Sequence, residues 1–254
     1  MTAADTGAAG GVTAVIPARY GSTRFPGKPL APLAGRPMIQ HVYERAARAP
    51  SVTRVLVATD DARIQAAVRA FGGEAVMTGP HPTGTDRIAE AVRRTTGPAD
   101  RPAWVLNVQG DEPLIDPEDL ERLIQGTAGT ADAVLGTLVH PLRDEAEWRD
   151  PNVVKAVLDQ AGRALFFSRA PIPHPREPAG SLGWRHLGVY VYRTDFLLTF
   201  QRLPPTPLSQ REQLEQLRAL ENGYPIHCFE AATLTQGVDV PEDLAQAEAL
   251  LAAP

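Results

Sequence analysis

Three apolar runs, VTAVIPA (Val12–Ala18), VTRVLVAT (Val52–Thr59) and WVLNVQ (Trp104–Gln109), carry almost no charge and do not alternate in polarity. A strand that reads as continuously hydrophobic is buried on both faces, the condition of a parallel sheet covered by helices. Between the runs lie segments of helical period. Pro37 to Ala49 opens on a proline and places Met38, Ile39, Val42 and Ala46 on one face. Asp60 or Asp61 can cap a helix to about Ala70, which Gly72 and Gly73 end. Ala75 to Thr78 predicts a short strand, and helices follow over Asp86 to Thr95 and Pro117 to Gln125. Strand and helix in strict alternation specify an α/β fold.

From Ala133 the texture changes. Closely spaced strand candidates at Ala133–His140, Val153–Leu158, Ala164–Ser168 and Leu187–Tyr192 predict an antiparallel or mixed extension. Helices are expected near Thr194–Gln201, Ser209–Asn222 and Pro241–Leu251, with a strand at Ile226–Glu230. The opening eleven residues read as a disordered leader, and residues 12–254 as a single domain. The Pro-rich stretch PIPHPREPAG (Pro171–Gly180) reads as a loop.

Bulk properties narrow the function. A net charge of −5 over 254 residues supplies no basic field for nucleic acid. No apolar run approaches the roughly 20 residues of a membrane helix. A single cysteine, Cys228, excludes an internal disulfide framework and fits a reducing, cytoplasmic setting. Against this acidic background the segment PARYGSTRFPGKP gathers three cations, Arg19, Arg24 and Lys28, directly after the first strand. It is not a P-loop, because five residues separate Gly21 from Gly27 and Lys28 precedes proline rather than Ser or Thr. A glycine-containing loop with three cations can still offer backbone N–H groups and charged forks to phosphate oxygens.

Ligands of open parallel sheets bind beyond the carboxyl ends of the strands. Three unusual segments occupy such positions: the cationic loop, HPTGTDR after Thr78, and QGDEP after Val108. Asp111 closes QGD, where a carboxylate can bind a hard cation such as Mg²⁺. Asp239, in TQGVDVPED, is a second candidate, though as a residue alone it serves equally as a cap or turn. HPTGTDR alone reads as a loop with Thr85 or Asp86 as the helix cap. His186 and Tyr190 lie four apart on one strand, and Glu215 and Gln216 look like an exposed helix face. Zinc is not expected, since the six histidines show no ligand spacing.

The stretch VIPARYGSTRFPGKPLAPLAGRPMIQHVYERA resembles the opening motif of the 3-deoxy-D-manno-octulosonate (Kdo) cytidylyltransferases. The resemblance continues in order through VATDD, HPTGTDRIAE, NVQGDEPLI, NVVKAVLD, ALFFSRAPIP, RHLGVYVYR, LEQLRALENG and GVDVPEDL. It implies a nucleotide-diphospho-sugar transferase (Rossmann-like) fold, with a mostly parallel central sheet and a small antiparallel extension. The activity implied is CTP + Kdo → CMP-Kdo + diphosphate, dependent on Mg²⁺ and serving lipopolysaccharide biosynthesis, in a cytoplasmic homodimer.

By the same resemblance Arg19, Ser22, Arg24 and Lys28 hold the triphosphate, and Pro17 and Ala18 approach the base. Thr83, Gly84, Thr85 and Arg87 form the second nucleotide loop, which reads T-G-T here where the family more often has S-G-T. Gln109 falls at the nucleotide–sugar junction, and Asp111 and Asp239 on the magnesium carboxylates. His186, Tyr190, Glu215 and Gln216 fall on the sugar pocket, with Arg169 a candidate for the sugar carboxylate. Arg19, Lys28 and Asp111 are the expected catalytic set, with metal activation of the attacking hydroxyl in place of a general base. Two rivals stay open at this point: a cytidylyltransferase for another acidic sugar, and a non-catalytic CTP sensor on the same fold.

Overall fold

A computed structural model describes residues 11–21, 25–176, 182–235 and 237–252. In chain order the elements are β1 (Val12–Ala18), a hairpin of β2 (Pro32–Leu33) and β3 (Arg36–Pro37), α1 (Met38–Ala46), β4 (Val52–Thr59), α2 (Ala62–Ala70), β5 (Ala75–Met77), α3 (Gly84–Thr95), β6 (Trp104–Asn107) and α4 (Pro117–Gly129). There follow β7 (Leu135–Pro141), α5 (Glu145–Arg149), β8 (Lys155–Leu158), β9 (Ala164–Ser168), β10 (Trp184–Arg193), α6 (Thr194–Phe200), α7 (Pro207–Glu212), α8 (Leu217–Glu221), β11 (His227–Glu230) and α9 (Asp243–Ala252). Packing divides the chain into two compact units: one runs to Glu121 and resumes at Thr235, and the other spans Arg122–Leu234. None of the described helices is long and apolar enough to cross a membrane.

In the first unit β1 lies between β4 and β6, parallel to both, with Val15 opposite Leu56 on one side and Asn107 on the other. β5 continues the sheet beyond β4, also parallel. The apolar runs become these strands because Ala14, Val15, Ile16, Leu56, Val57 and Leu106 are fully buried. Each such aliphatic side chain contributes roughly 1.5–3 kcal/mol on leaving water. The chain moves outward from β1 to β4 and β5, then returns to β6 on the opposite flank of β1. That reversal opens a crevice beyond the carboxyl ends of β1 and β6. A core of Leu33, Met38, Val238 and Ala247 ties the final segment and α9 into this unit.

The second unit is built around β7, which pairs antiparallel with β10 and parallel with β11. β8 pairs antiparallel with β10 and β9. The expected antiparallel extension is therefore present, with a register shift in β10 between Leu187 and Tyr190.

Two elements differ from the sequence expectation in ways that bear on function. α3 begins at Gly84, two residues early, because Thr83 rather than Thr85 or Asp86 is its cap and accepts from the Asp86 N–H at 3.1 Å. The single helix expected over Ser209–Asn222 is broken into α7 and α8, with Gln213 in the left-handed region at φ 53°. Glu215 and Gln216 consequently sit in the interruption rather than on an exposed helix face, and Gln216 is buried.

Candidate active site

The crevice of the first unit is a cleft of 310 Å³ built from the three strand-end segments. Pro17, Ala18 and Arg19 reach it from the end of β1, and Gln109, Gly110 and Asp111 from the end of β6. His81, Pro82, Thr83, Gly84 and Arg87 contribute from the β5–α3 connection, and Lys28, Pro29 and Asp239 complete the wall. Ser22 and Arg24, both expected at the triphosphate, lie outside the described residues.

The loop holding Lys28 is fixed at both ends. Gly27 takes a left-handed φ of 74°, open to glycine at no steric cost, and its N–H bonds the Tyr20 carbonyl at 2.9 Å. Tyr20 is covered by the Arg63 guanidinium, 3.4 Å from the ring centroid, which is itself paired with Asp61. Lys28 then opens a short 3-10 turn, Lys28–Leu30, and its side chain points back into the cleft.

The Lys28 ammonium donates to Asp111 Oδ2 at 2.6 Å and to Asp239 Oδ1 at 3.3 Å. The two carboxylates, 128 residues apart in sequence, meet because the Val238 N–H bonds the Asp111 carbonyl at 2.8 Å. Burial of Val238 in the Leu33–Met38 core, and a bond from the Asp239 N–H to Asp243 Oδ2 at 2.7 Å, hold Asp239 in place. Two carboxylates converging on one cationic group suit a hard divalent cation, which takes carboxylate oxygens. Among the described residues no group of three or more His, Cys, Asp or Glu side chains is gathered for a metal. Any ion held by Asp111 and Asp239 would thus complete its coordination with water or substrate oxygen.

The backbone around the strand ends is crowded. A Cβ on Gly110 would meet the Pro17 carbonyl at 3.0 Å, so glycine allows β1 and the QGD turn to approach. Gly84 sits at the first turn of α3 against Pro17, which brings the positive end of the helix to the cleft wall. Thr85, one residue on, is buried and does not line the cleft. Gln109 reaches Asn107 Oδ1 with its amide at 3.3 Å.

Arg87 differs in kind from Arg19. Arg19 is exposed at the mouth, whereas Arg87 is buried and donates to Thr78 Oγ1 at 2.6 Å and Asp60 Oδ2 at 2.7 Å. It touches the cleft while fastening α3 to the ends of β4 and β5. The sequence reading omitted His81, which lines the cleft and pairs with Glu90. Its place directly after β5 and before the T-G-T segment was the available signal.

Of the sugar-side candidates, Gln109 lies in the first unit, and Arg169, His186, Tyr190, Glu215 and Gln216 in the second. His186, Tyr190 and Phe167 form an aromatic row, with ring centroids 4.9 Å apart for Phe167–His186 and 5.5 Å for His186–Tyr190. Desolvation pushes the His186 pKa down to about 3 and lifts the Tyr190 phenol well above its ordinary value. His186 is therefore a neutral imidazole at physiological pH. Glu215 accepts from Arg218 at 3.0 Å.

Arg169 is committed elsewhere. Its Nε donates to the Glu212 carbonyl at 2.9 Å and its Nη1 to the Pro151 carbonyl at 3.0 Å. Beside it Lys155, completely buried, donates to the carbonyls of Asp150, Val153 and Arg169 at 2.8, 2.6 and 2.6 Å. Glu212 accepts from the Ser168 hydroxyl and the Arg169 N–H. Lys155 and Glu212 went unmarked in the sequence, where Lys155 falls inside the expected strand Val153–Leu158 and no local feature announces its burial.

An α/β sheet with a cationic, carboxylate-backed cleft at its switch point defines a nucleotide-handling enzyme, and residues 13–230 match the model of the cytidylyltransferase family. A 3-deoxy-manno-octulosonate cytidylyltransferase of Syntrophotalea carbinolica is 55% identical, over 94% of this chain and 98% of its own length. That of Anaeromyxobacter dehalogenans is also 55% identical, over 95% and 98%. A solved structure of CMP:2-keto-3-deoxy-manno-octonic acid synthetase complexed with CTP superposes with a TM-score of 0.88 at 45% identity, covering 95% of this chain and 98% of that one. The chain belongs to the 3-deoxy-manno-octulosonate cytidylyltransferase family.

Proposed function

We propose that this protein transfers the cytidylyl group of CTP to the anomeric hydroxyl of Kdo, forming CMP-Kdo and releasing diphosphate. The observation that carries the reading is the cleft at the β1–β6 switch point, in a chain that matches its Kdo-activating relatives over nearly their whole length. The sugar oxygen bonds to the α-phosphorus of CTP, the bond from that phosphorus to the bridging oxygen breaks, and the hydroxyl proton passes to solvent.

Each residue then has a task. Pro17, Ala18, Thr83, Gly84 and Gln109 line the nucleotide's cleft. Arg19 and Lys28, with Ser22 and Arg24 of the same loop, offset the charge that grows on the departing diphosphate. Arg87 and Thr85 act by holding α3 at the cleft. Asp111 and Asp239 hold Mg²⁺, which when bound supplies Lewis acidity and lowers the pKa of a coordinated hydroxyl. His186, Tyr190, Glu215 and Gln216 orient the sugar, and Arg169 supports them through Glu212. In-line displacement demands such alignment.

The same reading makes the enzyme a cytoplasmic homodimer that feeds lipopolysaccharide assembly. Diphosphate release with CTP and Mg²⁺, measured across a panel of acidic sugars, tests reaction and substrate together. Kdo is expected to give the highest kcat/KM, with loss of turnover in EDTA. Preference for another acidic sugar would replace Kdo in the proposal. CTP binding without turnover on any of them would favour a nucleotide sensor. The Asp111→Asn variant is expected to lose at least about a hundredfold in kcat.

A further inference from the structure

Lys28 stands where the proposed metal would stand. Its ammonium is within hydrogen-bond reach of both carboxylates, and its side chain is only 12% exposed. A divalent ion bound to Asp111 would lie about 2.0–2.1 Å from the oxygen whose nearest cationic neighbour is now the Lys28 nitrogen, at 2.6 Å. Two cations on one carboxylate oxygen repel at close range, so ammonium and metal compete for that seat. Empty of either, the seat would hold two carboxylates facing each other. The ammonium removes that repulsion while the nucleotide is absent.

The lysine is built to move without disturbing the loop. Its backbone is held at both ends: the Lys28 N–H donates to the Phe25 carbonyl at 3.2 Å, and the Lys28 carbonyl accepts from the Ala31 N–H at 3.1 Å. The charge is carried on a four-carbon arm whose torsions can redirect it while the backbone stays in place. A triphosphate entering the cleft offers the ammonium a more highly charged partner than either aspartate.

Resting on the reading of Asp111 and Asp239 as metal ligands, we propose that Lys28 is an internal stand-in cation that couples metal binding to nucleotide binding. Without nucleotide, Lys28 neutralises the two aspartates and competes with the metal. When the triphosphate arrives, Lys28 transfers to its phosphate oxygens and releases both aspartates to the ion. Metal affinity is therefore low until CTP is present, and by linkage the metal raises CTP affinity by the same factor. A free divalent ion does not occupy the cleft ahead of the nucleotide.

Mn²⁺ binding to the full chain, followed by electron paramagnetic resonance without sugar, tests this directly. The Lys28→Gln variant is expected to bind Mn²⁺ alone on the order of tenfold more tightly than the unaltered protein. Addition of CTP should tighten Mn²⁺ strongly in the unaltered protein and much less in the variant. Equal or weaker Mn²⁺ binding by Lys28→Gln without CTP overturns the proposal. Lys28→Met, read in the same way, serves if circular dichroism shows the glutamine variant unfolded. Adding Asp111→Asn to Lys28→Gln should abolish the gain. Mn²⁺ binding that survives that change refutes the metal-ligand reading itself, which distinguishes its failure from failure of the coupling.

Discussion

The Nε2 of His186 lies 3.0 Å from the hydroxyl of Thr137, and that hydroxyl lies 2.8 Å from the Val189 carbonyl. The hydroxyl also lies 3.2 Å from the Leu187 carbonyl, and its one proton, given to either carbonyl, leaves the oxygen to accept from the Nε2–H tautomer of His186. With the ring neutral, Nδ1 is left as a hydrogen-bond acceptor. A glutamine can reproduce the Nε2 donor but not the Nδ1 acceptor. His186→Gln should therefore fold normally and raise the KM for the sugar by about 2- to 12-fold, the worth of one neutral hydrogen bond, with the KM for CTP nearly unchanged. Steady-state kinetics with each substrate varied in turn checks this, and a larger effect on CTP would remove His186 from the sugar side.

The same imidazole shapes the acid limit of stability. Its folded pKa is about 3, pushed down by desolvation from 6.5, so between those values the unfolded chain binds the extra proton. This contribution is fully present above pH 6.5 and is lost as pH falls through the window toward 3, at up to about 1.4 kcal/mol per pH unit. Denaturant unfolding at several pH values should show a shallower acid slope in His186→Gln than in the unaltered protein. Equal slopes would mean that the ring protonates freely in the folded state.

Lys155 is a buried ammonium saturated by three backbone carbonyls and not by a carboxylate. Lys155→Met would take the ammonium from all three, and among the described residues only the Asp150 carbonyl keeps a donor, the Val153 N–H at 3.2 Å. Each acceptor left unpaired costs about 1–3 kcal/mol. We expect a loss of at least about 2 kcal/mol in unfolding free energy, with a rise in sugar KM because the Arg169–Glu212 clasp loosens. Chemical denaturation and kinetics of the surviving soluble fraction measure the two effects. An unaltered midpoint would show that water takes the ammonium's place.

Where burial alone decides structure, the residues announced it. β1, β4 and β9 span the expected Val12–Ala18, Val52–Thr59 and Ala164–Ser168, since an apolar run bounded by polar punctuation has few alternatives. The strand ends then placed Pro17, Lys28, Thr83, Gln109 and Asp111 around one cleft. Long-range polar partners left no such trace. Nothing local distinguishes buried Arg87 from exposed Arg19, because burial of a charge depends on acceptors that the fold delivers, here Asp60 and Thr78. The break between α7 and α8 falls at Gln213, with no glycine or proline to mark it.

That break is itself testable. Gln213 holds a left-handed conformation that costs an ordinary residue roughly 1–2 kcal/mol and glycine almost nothing. Glycine also enlarges the unfolded ensemble, at about 0.4–1 kcal/mol. Gln213→Gly should accordingly be neutral to about 1 kcal/mol stabilising, while Gln213→Pro should be strongly destabilising because proline cannot reach positive φ. Unfolding midpoints of the pair decide it, and clear destabilisation by glycine would show that the side chain, not the backbone, holds the turn.

Arg87 and Arg19 offer the sharpest contrast between support and contact. Replacing Arg87 by Met strips a buried partner from Asp60 and Thr78. A fully buried broken pair costs about 3–5 kcal/mol, and the Asp60 side chain is one-third exposed at 34%, which reduces that to about 2–3. Arg19 is exposed, so Arg19→Met should leave the unfolding midpoint almost unchanged and raise the KM for CTP, with a lower kcat if the guanidinium offsets charge on the leaving diphosphate. The two variants should therefore separate cleanly, Arg87→Met in stability and Arg19→Met in nucleotide kinetics. If Arg87→Met instead keeps full stability and loses CTP affinity, its guanidinium leaves Asp60 for the phosphates when the nucleotide binds. Its role would then be contact rather than support.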